Sequence, residues 1–414
     1  MDLSFLAPVY QAAGPYVSVV LDTTRATEDA QHEIHLRWRD LRNQLREGGA
    51  DEQTLGALDA AVGNVQGIPG QHGQALFASN GSVSLDRVLP APPTRGSASH
   101  LPVPDPLPLL VTLQQVVPYV LVVADRTGAD IYAYGPHGRT AESETVAGDR
   151  QDPGMQKIQG GQDTNKHYQR RAENIWAENA EKFAQEVGSL VAQLHADLLV
   201  VAGDPRAREK LESYLGPDSK SILALVDEGG RAAGASQDKL QNRVAELVKE
   251  AADRSRQEAL GHLEQERGRV AAAAEGLSAV VQAFQRAQVD TLFLPEEASY
   301  LPHNDVKLPP GSSGDVQTPE APHGASPLPE GGNVQLWVGD DLGHVANSKE
   351  DLRTIGSSEP RQAPALPALV RAAYATEAKV VLVPADVAES FTDGVACLLR
   401  WSDPATTEAA SQES

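Results

Sequence analysis

The spacing of apolar positions divides the chain into alternating strands and amphipathic helices. Tyr16–Leu21 is a continuous apolar and β-branched run, the pattern of a buried strand. Ile34, Trp38, Leu41 and Leu45 then recur at steps of three and four, one face of a helix. Leu55, Leu58 and Val62 repeat that spacing in a second, shorter helix. Gln74–Ala78 predicts a strand that ends at an Asn80-Gly81 turn. From Pro90 to Pro108 the Pro and Gly content predicts a linker or irregular connection.

A second alternation starts at Tyr119. Tyr119–Tyr134 predicts two strands around an Arg126-Thr127-Gly128 turn. Trp176, Ala180, Phe183, Val187, Leu190, Val191 and Leu194 line one helical face. His195 and Asp197 close that helix, and Leu198–Ala202 is a buried strand. Asp204-Pro205 is a helix start, since Asp caps well and Pro suits the first turn. Ile222–Val226 is another apolar strand, and a charged helix runs from about Gln237 to Arg267. Alternation of this kind predicts an α/β layer with a largely parallel or mixed sheet.

The last third repeats the theme as a second α/β layer. Leu277, Val280, Val281 and Phe284 form a helix face, and Thr291–Leu294 a strand. Residues 302–332 are rich in Pro, Gly and Ser and predict a long loop. Strand Val334–Val338, helix Leu366–Tyr374, strand Lys379–Val383 and strand Ala396–Trp401 follow. The expected organisation is α/β (α+β) in three domains: 1–115, 116–270 carrying the charged exit helix, and 271–402. A polar tail, 403–414, is expected to be disordered.

Composition narrows the classes. The 414 residues hold no apolar run of about 18, so no membrane-spanning helix is expected. The first residues lack the basic start and apolar stretch of a signal peptide. Cys397 is the single cysteine, which excludes an internal disulfide framework; with no export signal, a cytoplasmic location is expected. Cys397 lies in an apolar run and is expected to be a core thiol. A net charge of -22 opposes general coating of nucleic acid. His32 and His35 fall three apart without a further ligand, so no metal is expected, and no other cofactor. Gly229–Ser236 is glycine-rich but lacks the Lys-Ser/Thr ending of a phosphate loop and reads as a turn.

The candidate chemistry sits between the strand pair and the helix of Phe183. Gly160-Gly161-Gln162 is placed at a loop tip, with Asp163 and Thr164 available to cap a helix beginning near Asn165. Lys157, Lys166, His167, Arg170 and Arg171 surround it, a locally basic tip on an acidic chain and the candidate RNA-binding residues. Glycines there permit backbone angles that a Cβ forbids and close approach to a partner.

A GGQ loop in a central α/β domain, a long helix after it, and then Gly276–Leu294 resemble the archaeal and eukaryotic release factor 1–Pelota superfamily. The ending Asp393–Trp401 is similar to the closing strand of that family, and the Ala124–Asp130 hairpin points to its bacterial branch, where actinobacterial members and relatives of Balon-type hibernation factors are found. The resemblance covers about residues 116–402. It implies a release-factor/Pelota-like fold, binding at the ribosomal A site, and hydrolysis of peptidyl-tRNA with Gly160, Gly161 and Gln162 as the catalytic loop. The implied partners are the ribosome, through rRNA and P-site tRNA, with elongation factor Tu as a candidate carrier. The first domain holds no Asn-Ile-Lys-Ser segment, the family motif for stop codons, so codon-directed termination is not expected. Two alternatives stand beside hydrolysis: a non-enzymatic A-site occupant that protects idle ribosomes under stress, and a stress protein with this fold and no ribosomal role.

Overall fold

The computed structural model describes residues 1–25, 29–64, 71–115, 117–125, 128–135, 138–147, 180–229, 237–269, 272–296 and 334–401. Contacts group the chain into two compact units. Unit 1 combines 1–114 with 256–414, and unit 2 is 115–255.

In chain order, unit 1 begins with α1 (Ala7–Tyr10), β1 (Tyr16–Asp22), α2 (Ala30–Glu47), α3 (Glu52–Ala61), β2 (Gly73–Ser79), β3 (Ser82–Leu89), β4 (Ser97–Leu101) and α4 (Leu107–Leu113). The strands form one sheet in the order β3-β2-β1-β4, with every pairing antiparallel. Strand side chains alternate between faces. Val17, Val19 and Leu21 therefore meet Trp38, Leu41 and Leu45 of α2 and Leu55 and Leu58 of α3. Val20 and Phe77 turn to the opposite face, toward Leu107, Leu109 and Leu110 of α4. Asp51 caps α3 by accepting from the Thr54 N–H at 2.8 Å. Asn80 and Gly81 both have positive φ, 49° and 77°, as a two-residue hairpin between β2 and β3 requires. The expectation of an irregular connection over Pro90–Pro108 is corrected: it contains β4, hydrogen-bonded along β1, and the first turn of α4. Ser97–Leu101 carries no apolar run; its strand state rests on pairing with β1, with Ala98 packed against the core under α2 and Leu101 buried.

Unit 2 contains β5 (Tyr119–Ala124), β6 (Gly128–Gly135), β7 (Gly138–Ala147), α5 (180–194), β8 (Leu198–Gly203), α6 (Pro205–Tyr214), α7 (Pro217–Ser221), β9 (Leu223–Val226) and the start of α8 (Gln237–Arg269). The sheet order is β7-β6-β5-β8-β9. Pairing is antiparallel for β7–β6 and β6–β5 and parallel for β5–β8 and β8–β9, so the sheet is mixed. Helices cover both faces. Phe183, Ala184, Val187 and Val191 of α5 and Ala207 and Leu211 of α6 pack on Val120, Val122, Leu199 and Val201. Leu240, Val244 and Leu247 of α8 pack on Leu121, Val123, Leu198 and Val200. Strands buried on both faces explain why β5 and β8 are unbroken apolar runs.

Unit 1 resumes with the end of α8, then β10 (Ala273–Glu275), α9 (Leu277–Gln285), β11 (Val289–Pro295), β12 (Gln335–Val338), β13 (Val345–Ala346), α10 (Lys349–Thr354), β14 (Arg361–Pro364), α11 (Ala365–Ala375), β15 (Lys379–Val383), α12 (Ala385–Ala388) and β16 (Ala396–Leu399). These strands build two sheets, β10-β16-β11-β15 and β13-β12-β14. The 334–338 strand thus belongs to a small antiparallel sheet of its own. Every residue of α11 from Ala365 to Ala373 is buried, as in a helix apolar on nearly all sides; the one charged member, Arg371, donates to the Gly339 carbonyl at 2.8 Å. Its Leu369 shares one core with Val280, Leu292, Phe77 and Leu107, so the two sequence-distant parts of unit 1 are packed together. Cys397 lies in this core, and burial pushes its thiol up to about 12.

Candidate functional site

Unit 2 holds the segment with the candidate chemistry. Lys157, Gly160, Gly161, Gln162, Lys166, His167, Arg170 and Arg171 all fall outside the described residues, as do the proposed cap at Asp163 and Thr164 and the apolar Trp176. What is described is the scaffold on either side. The chain enters from β7, whose last residue, Ala147, is paired with Gly128. It re-emerges at Ala180, the first described residue of α5, which is buried. Both anchor points are thus fixed to one sheet: Ala147 by the ladder of β6, and α5 by its packing on β5 and β8.

Two features stiffen this scaffold. Tyr119 and Tyr134 face each other in the β5–β6 register and stack with ring centroids 4.3 Å apart and planes at 7°. Such a pair contributes about 0.5–1.5 kcal/mol beyond its burial. Gly203, at the end of β8, has φ +110°, and a Cβ there would stand 2.0 Å from the Ala124 carbonyl oxygen. Close approach lets the Asp204 N–H donate to that oxygen at 2.9 Å. The Asp204 carboxylate then accepts from the Arg206 and Ala207 N–H groups and starts α6, as its sequence context predicts. The tyrosine stack is missed by apolar spacing, because it depends on register. Gly203 is legible only as a glycine between a strand and a capping Asp-Pro.

His32 and His35 are both exposed on α2. Among the described residues no cluster of three or more His, Cys, Asp or Glu is arranged to hold a metal. His195 takes a positive φ of 49° just past α5, while the Ala196 N–H donates to the Val191 carbonyl at 3.0 Å; this closes the helix, as expected. Of the Gly229–Ser236 stretch only Gly229 is described, with φ +89°. Among the described residues no helix is long and apolar enough to cross a membrane.

Residues 118–269 match the family model for bacterial archaeo-eukaryotic release factor family 2. This segment is similar to the bacterial members of the archaeo-eukaryotic release factor family. The family segment runs from β5 to the end of α8 and encloses Gly160-Gly161-Gln162. Two uncharacterised proteins of Mycobacterium tuberculosis, one from strain CDC 1551 and one from strain H37Rv, are each 27% identical over 295 residues, spanning 69% of this chain and 76% of each relative. Among solved structures, an archaeal translation termination factor aRF1 is 16% identical, covering 96% of this chain and 99% of its own, with a TM-score of 0.26. Dom34 of Saccharomyces cerevisiae, described as a translation termination-like factor, is 11% identical, covering 97% and 92%, with a TM-score of 0.38. At these scores whole-chain superposition adds nothing to the fold, which rests on the sheets and helices themselves.

Proposed function

We propose that this protein binds the ribosomal A site and hydrolyses peptidyl-tRNA on stalled ribosomes through Gly160, Gly161 and Gln162. The observation that carries the reading is the position of the GGQ tripeptide within the release-factor segment, 118–269. Water is the nucleophile, and the ester between peptide and tRNA is cleaved. The protein contributes a placed donor rather than an acid or base. Gly160 and Gly161 supply the backbone freedom, and the Gln162 N–H stabilises charge developing on the reacting oxygen. One such donor is worth about 3–4 kcal/mol of barrier. The Gln162 side chain shapes the pocket so that water is the accepted nucleophile. Lys157, Lys166, His167, Arg170 and Arg171 would contact rRNA and tRNA phosphates.

The absence of an Asn-Ile-Lys-Ser segment favours rescue over codon-directed termination. It is equally compatible with a non-enzymatic occupant of idle ribosomes carried by elongation factor Tu. One experiment separates the two. Purified protein is added to ribosomes with labelled peptidyl-tRNA and an empty A site, and binding and peptide release are measured together. Hydrolysis predicts stoichiometric binding with release. Binding without release overturns it and leaves the hibernation reading; no saturable binding overturns both.

A further inference from the structure

The sheet of unit 2 ends at β9, and among the described residues no strand lies beyond it. β9 pairs with β8 in parallel, Leu199 opposite Leu223 and Val201 opposite Leu225. The Leu199 N–H donates to the Ile222 carbonyl at 2.8 Å. Backbone groups of successive strand residues point to opposite sides, so Ile222, Ala224 and Val226 address β8 while Leu223 and Leu225 address the open side. Side chains alternate between the two faces of the sheet. Leu223 lies against the core beneath α5 and α6, and Ala224 against the one beneath α8. Leu225 stands opposite Val201, which is 1% exposed, yet is itself 45% exposed. Natural edge strands are blunted by Pro, a charge or a bulge. β9 reads Leu-Ala-Leu-Val and has neither Pro nor charge.

The charges at the two ends of β9 select the strand that fits. Lys220 precedes it and Glu228 follows it, both exposed. The Asp227 carboxylate, next to Glu228, is engaged by the buried Arg208 guanidinium at 2.6 Å. In an antiparallel self-pair the start of one strand meets the end of the other. With Ala224 opposite its counterpart on the two-fold axis, Leu223 of each copy faces Leu225 of the other. Both outward residues then exchange N–H···O bonds, and each exposed Leu225 is covered by a leucine. Lys220 of each copy comes to the end that carries Glu228 of the other. A parallel pair would instead set like charge beside like. We propose that β9 joins two copies of this chain edge to edge, in a two-fold pair that continues the sheet from unit 2 of one copy into unit 2 of the other. The pair stands apart from peptidyl-tRNA hydrolysis and involves none of the residues assigned to it.

Sedimentation equilibrium of the full chain over a range of concentrations tests it. Moderate salt is needed, because a charge of -22 on each copy opposes association when unscreened. The wild type should show a reversible monomer–dimer equilibrium. Leu225→Lys puts a charge on the edge and should weaken it about tenfold or more. Lys220→Glu and Glu228→Lys should each weaken it, and the double variant should recover the wild-type constant, since the exchanged charges meet in the same way. Ala224→Cys reads the register. Its two copies would lie about 4.5 Å apart at Cα, within disulfide reach, so mild oxidation should link them. Glu209→Cys, exposed on α6, should not link, and the buried Cys397 takes no part. Circular dichroism checks folding, and the charge exchange serves if Leu225→Lys does not fold. Undiminished association in Leu225→Lys would place the dimer on another face and overturn the pairing. Ala224→Cys that links no better than Glu209→Cys overturns it too. A wild type that stays monomeric rules out the second copy and leaves the edge to a strand of a different protein.

Discussion

Gly161→Ala tests the proposed chemistry at one methyl group. The added Cβ restricts the backbone where the Gln162 N–H must be aimed, while distant contacts with the ribosome are untouched. Peptide release should fall by about two to three orders of magnitude, the loss of one preorganised donor. Ribosome binding should change little. Gln162→Ala should cost less, since the donor is the backbone; a larger loss from Gln162→Ala than from Gly161→Ala would shift the role to the side chain. Gly203 makes a separate prediction, about folding. Its φ of +110° and the 2.0 Å approach of a virtual Cβ to the Ala124 oxygen leave no place for a methyl. Gly203→Ala should destabilise by roughly 3 kcal/mol or more, combining backbone strain with displacement of β8 from β5. Chemical denaturation reads this directly, and a loss below about 1 kcal/mol would show that the strand end relaxes freely.

At the scale of elements, α5 and the β6–β7 ladder determine where the candidate segment is attached. Of the face of α5 that packs on the sheet, Phe183, Val187 and Val191 are recovered from spacing alone, while Ala184 is added by the structure. The basic residues before it make a testable pair. Charge reversal at Arg170 and Arg171 should weaken ribosome binding about tenfold or more, on the strength of the phosphate contacts proposed there. Reversal at Arg39 and Arg46, exposed on α2 with side chains 59% and 52% accessible, should do much less. Co-sedimentation at two salt concentrations measures both, and equal losses would remove the case for a directed basic tip. Among the elements that spacing misses is β4. Its Ser-Ala-Ser-His-Leu sequence has no apolar run, and its hydrogen bonds to β1 exist only once β1 is in place.

For the whole molecule, the three-domain division with boundaries near 115 and 270 is a proposal for experiment. The Pro, Gly and Ser content of 302–332 predicts that limited proteolysis cuts there first. Early cleavage within 180–194, whose buried face is seated on the sheet, together with a resistant 302–332, would contradict that layout. Mass spectrometry of the first fragments distinguishes the outcomes. The net charge of -22 gives a further constraint at this scale. Long-range repulsion from RNA opposes binding everywhere except at a locally basic surface, so association should be slow and specific rather than general.

Local interactions are what the sequence by itself determined. Helical and strand periodicity, the Asp204-Pro205 helix start, the Asn80-Gly81 turn and the burial of Cys397 all follow from contacts between near neighbours or from the cost of exposing apolar side chains. The family resemblance was legible for the same reason, since its motifs are contiguous runs. Tertiary structure alone decided the rest. The Tyr119–Tyr134 stack needs the β5–β6 register, β4 needs an existing edge on β1, and the 334–338 strand found β13 and β14 rather than the neighbouring sheet. Gln114, Arg256 and Glu296 lie far apart in sequence and meet only when α4, α8 and β11 are packed. Pairing of backbone edges and convergence of distant polar groups leave no periodic trace along a chain, because each partner's position is set by the other.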